Sequence, residues 1–283
     1  MVTRIAVIAD IHHGRDTATK RGSAALGLLD RFIATVNTSD VHAVLDLGDR
    51  ISDENVERDR MLQQEVAARF RRIDGKPRHH MLGNHDVAKL SLSENAELLD
   101  APLESRSVFV GDVRAVFWQP DVAMTLERPP SLRPGDLATL EKLLAADDRP
   151  TLLVSHVPLS GHSQAGNYYF ERNPQFASYA ETADIRRVIA DAPCPLVALA
   201  GHVHWNTLTT IDGTPHLTLQ SLTETFTCDQ PAACTAIVEI DGDEFRWRVD
   251  GVERMSLTLP WPTSKIRWRP ANQTYAAKTV ASA

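Results

Sequence analysis

Cysteine is scarce in this chain: Cys194, Cys228 and Cys234 are its only three. An odd and widely spaced set does not build a disulfide framework, and it lacks the tight pairs of a structural zinc site. The expectation is of free thiols packed as small hydrophobes in a reducing cytoplasm, with a Cys228–Cys234 bridge as the one alternative. Long apolar runs are missing as well. No stretch approaches the roughly 20 residues of a membrane span, and Ile5–Ala9 is too brief for the hydrophobic part of a signal peptide before Asp10 interrupts it. There is no basic excess either. The 30 basic and 37 acidic residues give a net charge of −7, which argues against a nucleic-acid partner. No internal repeat, low-complexity tract or Gly/Ser/Pro-rich linker divides the chain. It therefore reads as one domain over 1–258, followed by a strapping tail over 259–283 that holds Pro260, Trp261, Pro262, Trp268 and Pro270.

What is present alternates between two periods. Thr3–Ala9, His42–Leu47, Arg78–Leu82, Thr151–Val154 and Leu196–Ala200 are short apolar runs of the kind that form buried strands. Between them, Ser23–Val36, the stretch after Asp53 (read as its N-cap), Pro134–Ala146 and Asp184–Ala190 carry apolar residues at helical spacing. Later pairs of runs flank Gly111-Asp112, Asp212-Gly213 and Asp241-Gly242-Asp243, which read as hairpins. The block Leu159–Tyr179 has no periodicity and holds Gly161, Gly166, Asn167 and Pro174, so it reads as a substrate lid.

Residues able to bind metals collect where the apolar runs end. Asp10-Ile11-His12, Gly48-Asp49-Arg50, Gly83-Asn84-His85-Asp86, Ser155-His156 and Gly201-His202-Val203-His204 follow in that order. A D-x-H or a Gly-Asp alone says little. Five such pieces, four of them after strand-like runs, make one broken site for two divalent cations, a device that cleaves phosphate esters. His13, Arg15 and Arg50 lie beside these pieces and could touch an anionic substrate. His162, Asn167, Tyr168 and Tyr169 lie in the expected lid, where the aromatic rings could line its pocket, and Glu224 could approach from the far side.

On these motifs the chain resembles the calcineurin-like metallophosphoesterase superfamily. The resemblance implies a four-layer α/β/β/α sandwich, two mixed β-sheets flanked by helices, with the site on loops at one end of the sheets. It implies that Asp10, His12 and His204 hold one metal, that Asn84, His156 and His202 hold the other, and that Asp49 bridges them. It implies that a metal-bridging hydroxide attacks phosphorus in line. His85 protonates the leaving oxygen, Asp86 holds its ring, and Asn84 helps position a phosphate oxygen. Nitrogen and oxygen ligands without thiolates suit Mn, Fe, Zn or Co. The residue three after Asp49 is Ser52, where the purple acid phosphatase branch has an iron-binding tyrosine, and Arg50-Ile51-Ser52 departs from the GDxVDRG pattern of the protein serine/threonine phosphatases. The chain is more similar to the small bacterial phosphodiesterases, such as class III cyclic nucleotide phosphodiesterases. The expected function is thus hydrolysis of a small phosphodiester, with homodimerisation left open. The rivals are a phosphomonoesterase or nucleotide pyrophosphatase, the latter suggested by Lys89-Leu90-Ser91-Leu92-Ser93, and, remotely, a non-catalytic binding module.

Overall fold

Strand β1 (Thr3–Ile8) is the hub of the first sheet in the computed structural model, which describes residues 2–262 and 264–269. It pairs in parallel with β2 (Ala43–Asp46), which pairs in parallel with β3 (Arg78–His80). On its other side it runs antiparallel to β10 (Thr235–Asp241), followed outward by β11 (Glu244–Asp250) and β12 (Met255–Pro260). The second sheet is built from β4 (Arg106–Val110), β5 (Val113–Phe117), β6 (Thr151–Val154), β7 (Leu196–Ala200), β8 (Thr207–Ile211) and β9 (Thr214–Thr218). Its order is β4-β5-β6-β7-β9-β8, with β5, β6, β7 and β9 parallel. β1 and β2 are buried along almost their whole length, as are β5, β6 and β7, because both faces are covered. β10 and β11 alternate buried and less buried residues, as strands with one wet face do.

Three apolar clusters define four layers. Ile5, Val7, Leu45, Phe117, Val154, Leu199, Phe245 and Trp247 fill the space between the sheets. Outside the first sheet lie α1 (Ala25–Thr38) and α2 (Val56–Phe70), packed through Leu29, Phe32, Ile33, Val66 and Phe70 onto Ala6, Ile8 and Val44. The second sheet is covered by α4 (Asp136–Ala145) and α5 (Thr182–Asp191), through Leu140, Leu144, Ile185 and Ile189. This is the expected α/β/β/α sandwich of two mixed sheets. No helix among the described residues is long and apolar enough to cross a membrane.

Some local expectations change. The N-cap of α2 is Asn55, whose side chain accepts from the Arg58 N–H, so Asp53 is released for another task. The helix α3 (Leu92–Leu99) is additional. Ser91 and Glu94 form a reciprocal capping box at its start, so Lys89–Ser93 is a helix entrance. Strand β12 crosses the expected boundary at 258, and Trp261 is buried with its ring stacked on Phe245. Beyond it, Lys265 donates to the Ile189 carbonyl at the end of α5. The rest of the expected tail, from Pro270 on, lies outside the described residues. The three cysteines are free.

One buried group off the site carries a pH prediction. His216 on β9 is buried, its Nδ1 has no partner among the described residues, and burial pushes its imidazole down to about 4. Its ordinary value is 6.5. As pH falls through 6.5, the unfolded chain takes up a proton here, and the folded chain does not until about pH 4. Stability therefore falls across that window. Replacing His216 with Leu should spare about 2 kcal/mol of the loss between neutral pH and pH 4.5, as read by urea denaturation. Parallel losses in both proteins would refute it.

Candidate metal centre

The parallel strands of both sheets present their C-terminal ends to one cleft. Asp10 and His12 follow β1, Asp49 follows β2, Asn84 and His85 follow β3, His156 follows β6, and His202 and His204 follow β7. Asp10, His12, Asp49, His202 and His204 all have positive φ, between 47° and 71°. A left-handed backbone is costly for residues with a Cβ and persists only where the surroundings impose it. Here it turns the chain sharply at each strand end and aims the side chain inward. Two glycines give those side chains room. A Cβ on Gly83 would sit 2.1 Å from Asp49 Oδ1, and one on Gly201 would sit 2.6 Å from Asp10 Oδ2. Gly83→Ala should therefore displace Asp49 and weaken metal affinity by about 100-fold, comparable to the loss of an outer-sphere contact. Titration with Mn²⁺ would show it, and unchanged affinity would mean that Asp49 does not bind there.

The convergence is tight. Ligand atoms of Asp10, His12, Asp49 and His204 all lie within 4.8 Å of one another, and so do those of Asp49, His156 and His202. Asp49 belongs to both groups. His12 Nε2 is 2.9 Å from His204 Nε2, and Asp49 Oδ2 is 3.4 Å from His156 Nε2. Each imidazole but one is oriented by its other nitrogen. His156 Nδ1 faces the Leu47 carbonyl at 2.8 Å, His202 Nε2 faces the Phe176 carbonyl at 2.8 Å, and His204 Nδ1 meets Glu224 Oε2 at 2.8 Å. Such contacts fix ring and tautomer in metal sites. His12 Nδ1 is without a partner among the described residues.

The donors suit divalent cations. His156 Nε2 and Asn84 Oδ1 are buried and make no hydrogen bond to any described residue. Polar atoms are seldom left that way unless something binds them. Burial holds His12 well below its ordinary value. It also drives His202 down to about 3, helped by His156, so both rings are neutral donors. Burial opposes ionisation of Asp49, but the neighbouring His156 and His85 outweigh it and keep the carboxylate ionised well below the usual range. Burial likewise opposes charge on His156, yet Asp49 raises it to about 9. The pocket demands positive charge beside Asp49. Seven nitrogen and oxygen donors without a thiolate fit Mn, Fe, Zn or Co.

His85 stands at the mouth, partly exposed, with its ring edge-on to His12. Its Nδ1 lies 2.5 Å from Asp53 Oδ1. That hydrogen bond holds the Asp53 carboxyl below its ordinary value. Asp86, expected to hold the ring, does something else. It is fully buried and accepts from the backbone N–H groups of Gly83, Asp49 and Arg50 and from Gln63 Nε2. It organises the loops beneath the site. Arg50, expected to touch substrate, is buried with it. The guanidinium pairs with Asp46 at 2.7 Å and Asp86 at 3.0 Å and donates to the Met81 carbonyl. A guanidinium between two buried carboxylates has no exposed face for an anion.

Other expected substrate contacts also fall elsewhere. His13 is paired with Glu65 at 2.5 Å, and Arg15 is exposed outside the cleft lining. His162 is held by Ser160 and Gln164 on the Thr207 side. Tyr168 is 59% exposed and packs against Tyr169 and Phe226 at the rim. The cleft itself, about 140 Å³, is lined by Lys20, Asp49, Asn84, His85, Met124, Tyr169, Phe170, His202 and His204. The loop expected as a lid lines the cleft through Tyr169 and Phe170, and within it the Asn167 side chain donates to the Val203 carbonyl and accepts from the N–H groups of Tyr169 and Phe170. Tyr169 lines the cleft as its place in the loop suggests, whereas Lys20 and Asp53 are cleft residues that no motif marks.

A model of the calcineurin-like phosphoesterase family matches residues 3–206. Among solved structures, the chain is similar to a dimetal phosphatase from Danio rerio, at 16% identity and a TM-score of 0.73, covering 92% of this chain and 99% of that one. It is similar to purple acid phosphatase PPD1 from yellow lupin (Lupinus luteus), at 15% identity and a TM-score of 0.65, covering 92% of this chain and 54% of the other. It is also similar to GAP50 of Plasmodium, described as the anchor in the inner membrane complex, at 13% identity and 0.57, covering 93% and 90%. At these identities the likeness is one of fold. No curated protein matches.

Proposed function

The chain belongs to the calcineurin-like phosphoesterase family, and we propose that it hydrolyses a small phosphodiester, such as a cyclic nucleotide, at a dinuclear metal centre. The observation that carries this reading is the shared carboxylate: Asp49 stands in both ligand clusters. Asp10, His12 and His204 would hold one cation, and Asn84, His156 and His202 the other. Two cations a few ångströms apart repel, and a carboxylate between them offsets the repulsion. When bound, the pair supplies Lewis acidity and an activated water.

The protein's own groups do the rest. Glu224 and the carbonyls of Leu47 and Phe176 hold three imidazoles in fixed tautomers, so no reorganisation is needed as charge develops. His85 keeps Nδ1 on Asp53, which leaves Nε2 to give its proton to the departing oxygen. Asn84 positions a phosphate oxygen beside it. Met124, Tyr169 and Phe170 give the cleft apolar walls, which favours an organic substituent on the phosphate over bare solvent. The cleft's small volume suits a compact substrate.

The test is turnover by the Mn-loaded protein of bis(p-nitrophenyl) phosphate beside p-nitrophenyl phosphate, with 2′,3′- and 3′,5′-cyclic nucleotides in parallel. Diester and cyclic-nucleotide turnover with little on the monoester is the expected result. Preference for the monoester, or activity confined to pyrophosphate-linked nucleotides, would overturn the substrate class.

A further inference from the structure

Lys20 is a charged group of the cleft to which the chemistry above gives no work. It lines the cleft together with Tyr169 and His204, with its ammonium 5.9 Å from the centre of the Tyr169 ring. Its position is set by the chain around it. The Lys20 N–H donates to Thr17 Oγ1, its carbonyl accepts from the Thr17 N–H, and its backbone bridges to Glu224. Thr19 meets the Tyr169 hydroxyl, which donates to Glu224 Oε2. Glu224 in turn holds His204. Lys20 is therefore mounted on the frame that sets the metal ligands.

The acidic groups that face Lys20 are all committed elsewhere. Asp49, Glu224, Asp10 and Asp53 influence its ammonium, but no ion pair joins Lys20 to any of them. Glu224 serves His204, Asp53 serves His85, Asp10 accepts from the His202 N–H, and Asp49 accepts from the His85 N–H. A half-buried ammonium that no carboxylate contacts directly is costly unless a ligand supplies the contact. In the proposed reading the scissile phosphoryl group already has Asn84 and His85 as its partners. We infer that Lys20 forms a subsite for a second anionic group on the substrate, so that the preferred class is a phosphodiester carrying at least one further negative charge. This rests on the phosphodiester reading and narrows it.

The test is calorimetric binding to the metal-loaded full chain of three non-hydrolysable probes: methylphosphonate with one anionic group, and phosphonoacetate and methylenediphosphonate with two. Metal content is measured before and after each titration. In the unsubstituted protein the two-headed probes should bind roughly 10- to 100-fold tighter than methylphosphonate, the worth of one charge-assisted hydrogen bond. Lys20→Gln should collapse that gap while two metals stay bound, and Lys20→Arg should keep most of it. Collapse for only one probe supports the subsite and identifies its group as carboxylate or phosphate. A gap that survives Lys20→Gln for both two-headed probes, or equal weakening of all three probes, overturns the inference. Failure of the underlying reading shows separately, as an unsubstituted protein that binds no metal or turns over no bis(p-nitrophenyl) phosphate.

Discussion

Asp49→Ala is expected to leave a folded chain that retains neither metal and turns over diesters at least roughly 1,000-fold more slowly, the equivalent of several kcal/mol of lost charge stabilisation. Both clusters lean on this one carboxylate. Asp10→Ala, by contrast, removes a donor from one cluster only and should leave the other cation in place. Asp49→Ala should lower the stability of the metal-free chain, since it removes a buried charge that His156 and His85 hold ionised, but the fold should survive because His156, without Asp49 beside it, can stay buried as a neutral ring. Asp49→Asn should fall between the two, since an amide tolerates the left-handed backbone at this position and can still donate an oxygen to a cation. Metal analysis and thermal melting on the same samples separate loss of metal from loss of fold. Two bound metals and undiminished turnover in Asp49→Ala would remove the basis for a bridging carboxylate.

The sequence makes the donors legible because each stands directly after a buried strand, where a polar residue in an apolar context needs a reason. The left-handed turns at Asp10, Asp49 and His202 explain why the motifs are so short: one or two residues suffice to swing a side chain from the sheet into the cleft. Gly83 and Gly201 are part of the same signal, since a methyl group at either would collide with a carboxylate. The layers were legible for a related reason, because continuous apolar runs mark strands covered on both faces. What failed was anything depending on a contact across the fold. Arg50, beside a donor, reads as an anion contact, and only the arrival of Asp86 from the loop after β3 shows it to be a buried ion pair. Tyr169 reaches Glu224 from a loop without periodicity, and Lys20 sits in a turn no motif distinguishes. The helix α3 did carry a local signal, the Ser91–Glu94 capping box, and β12 carries an alternation in Met255–Pro260 that the surrounding Pro and Trp residues obscure.

The pairing of His85 with Asp53 rather than Asp86 has the second large consequence. His85→Ala should lower turnover by roughly 100- to 10,000-fold, the range of a lost general acid, with both metals still bound. Asp53→Asn should lower it in the same direction by about 10- to 100-fold, the usual cost of losing an orienting partner, again without loss of metal. Asp53 is partly exposed, so little stability should be at stake. Asp86→Asn should reverse the pattern. Three backbone N–H groups and the Arg50 guanidinium depend on that carboxylate, and leaving Arg50 short of a counter-charge should cost about 3–5 kcal/mol of stability. Turnover per metal-loaded molecule should change less than in Asp53→Asn. A stable Asp86→Asn variant with its turnover lost, beside an active Asp53→Asn variant, would return the orienting role to Asp86. The two carboxylates are separated in sequence by 33 positions and in role by burial: the one that can serve a proton donor at the cleft mouth is the one that solvent can reach.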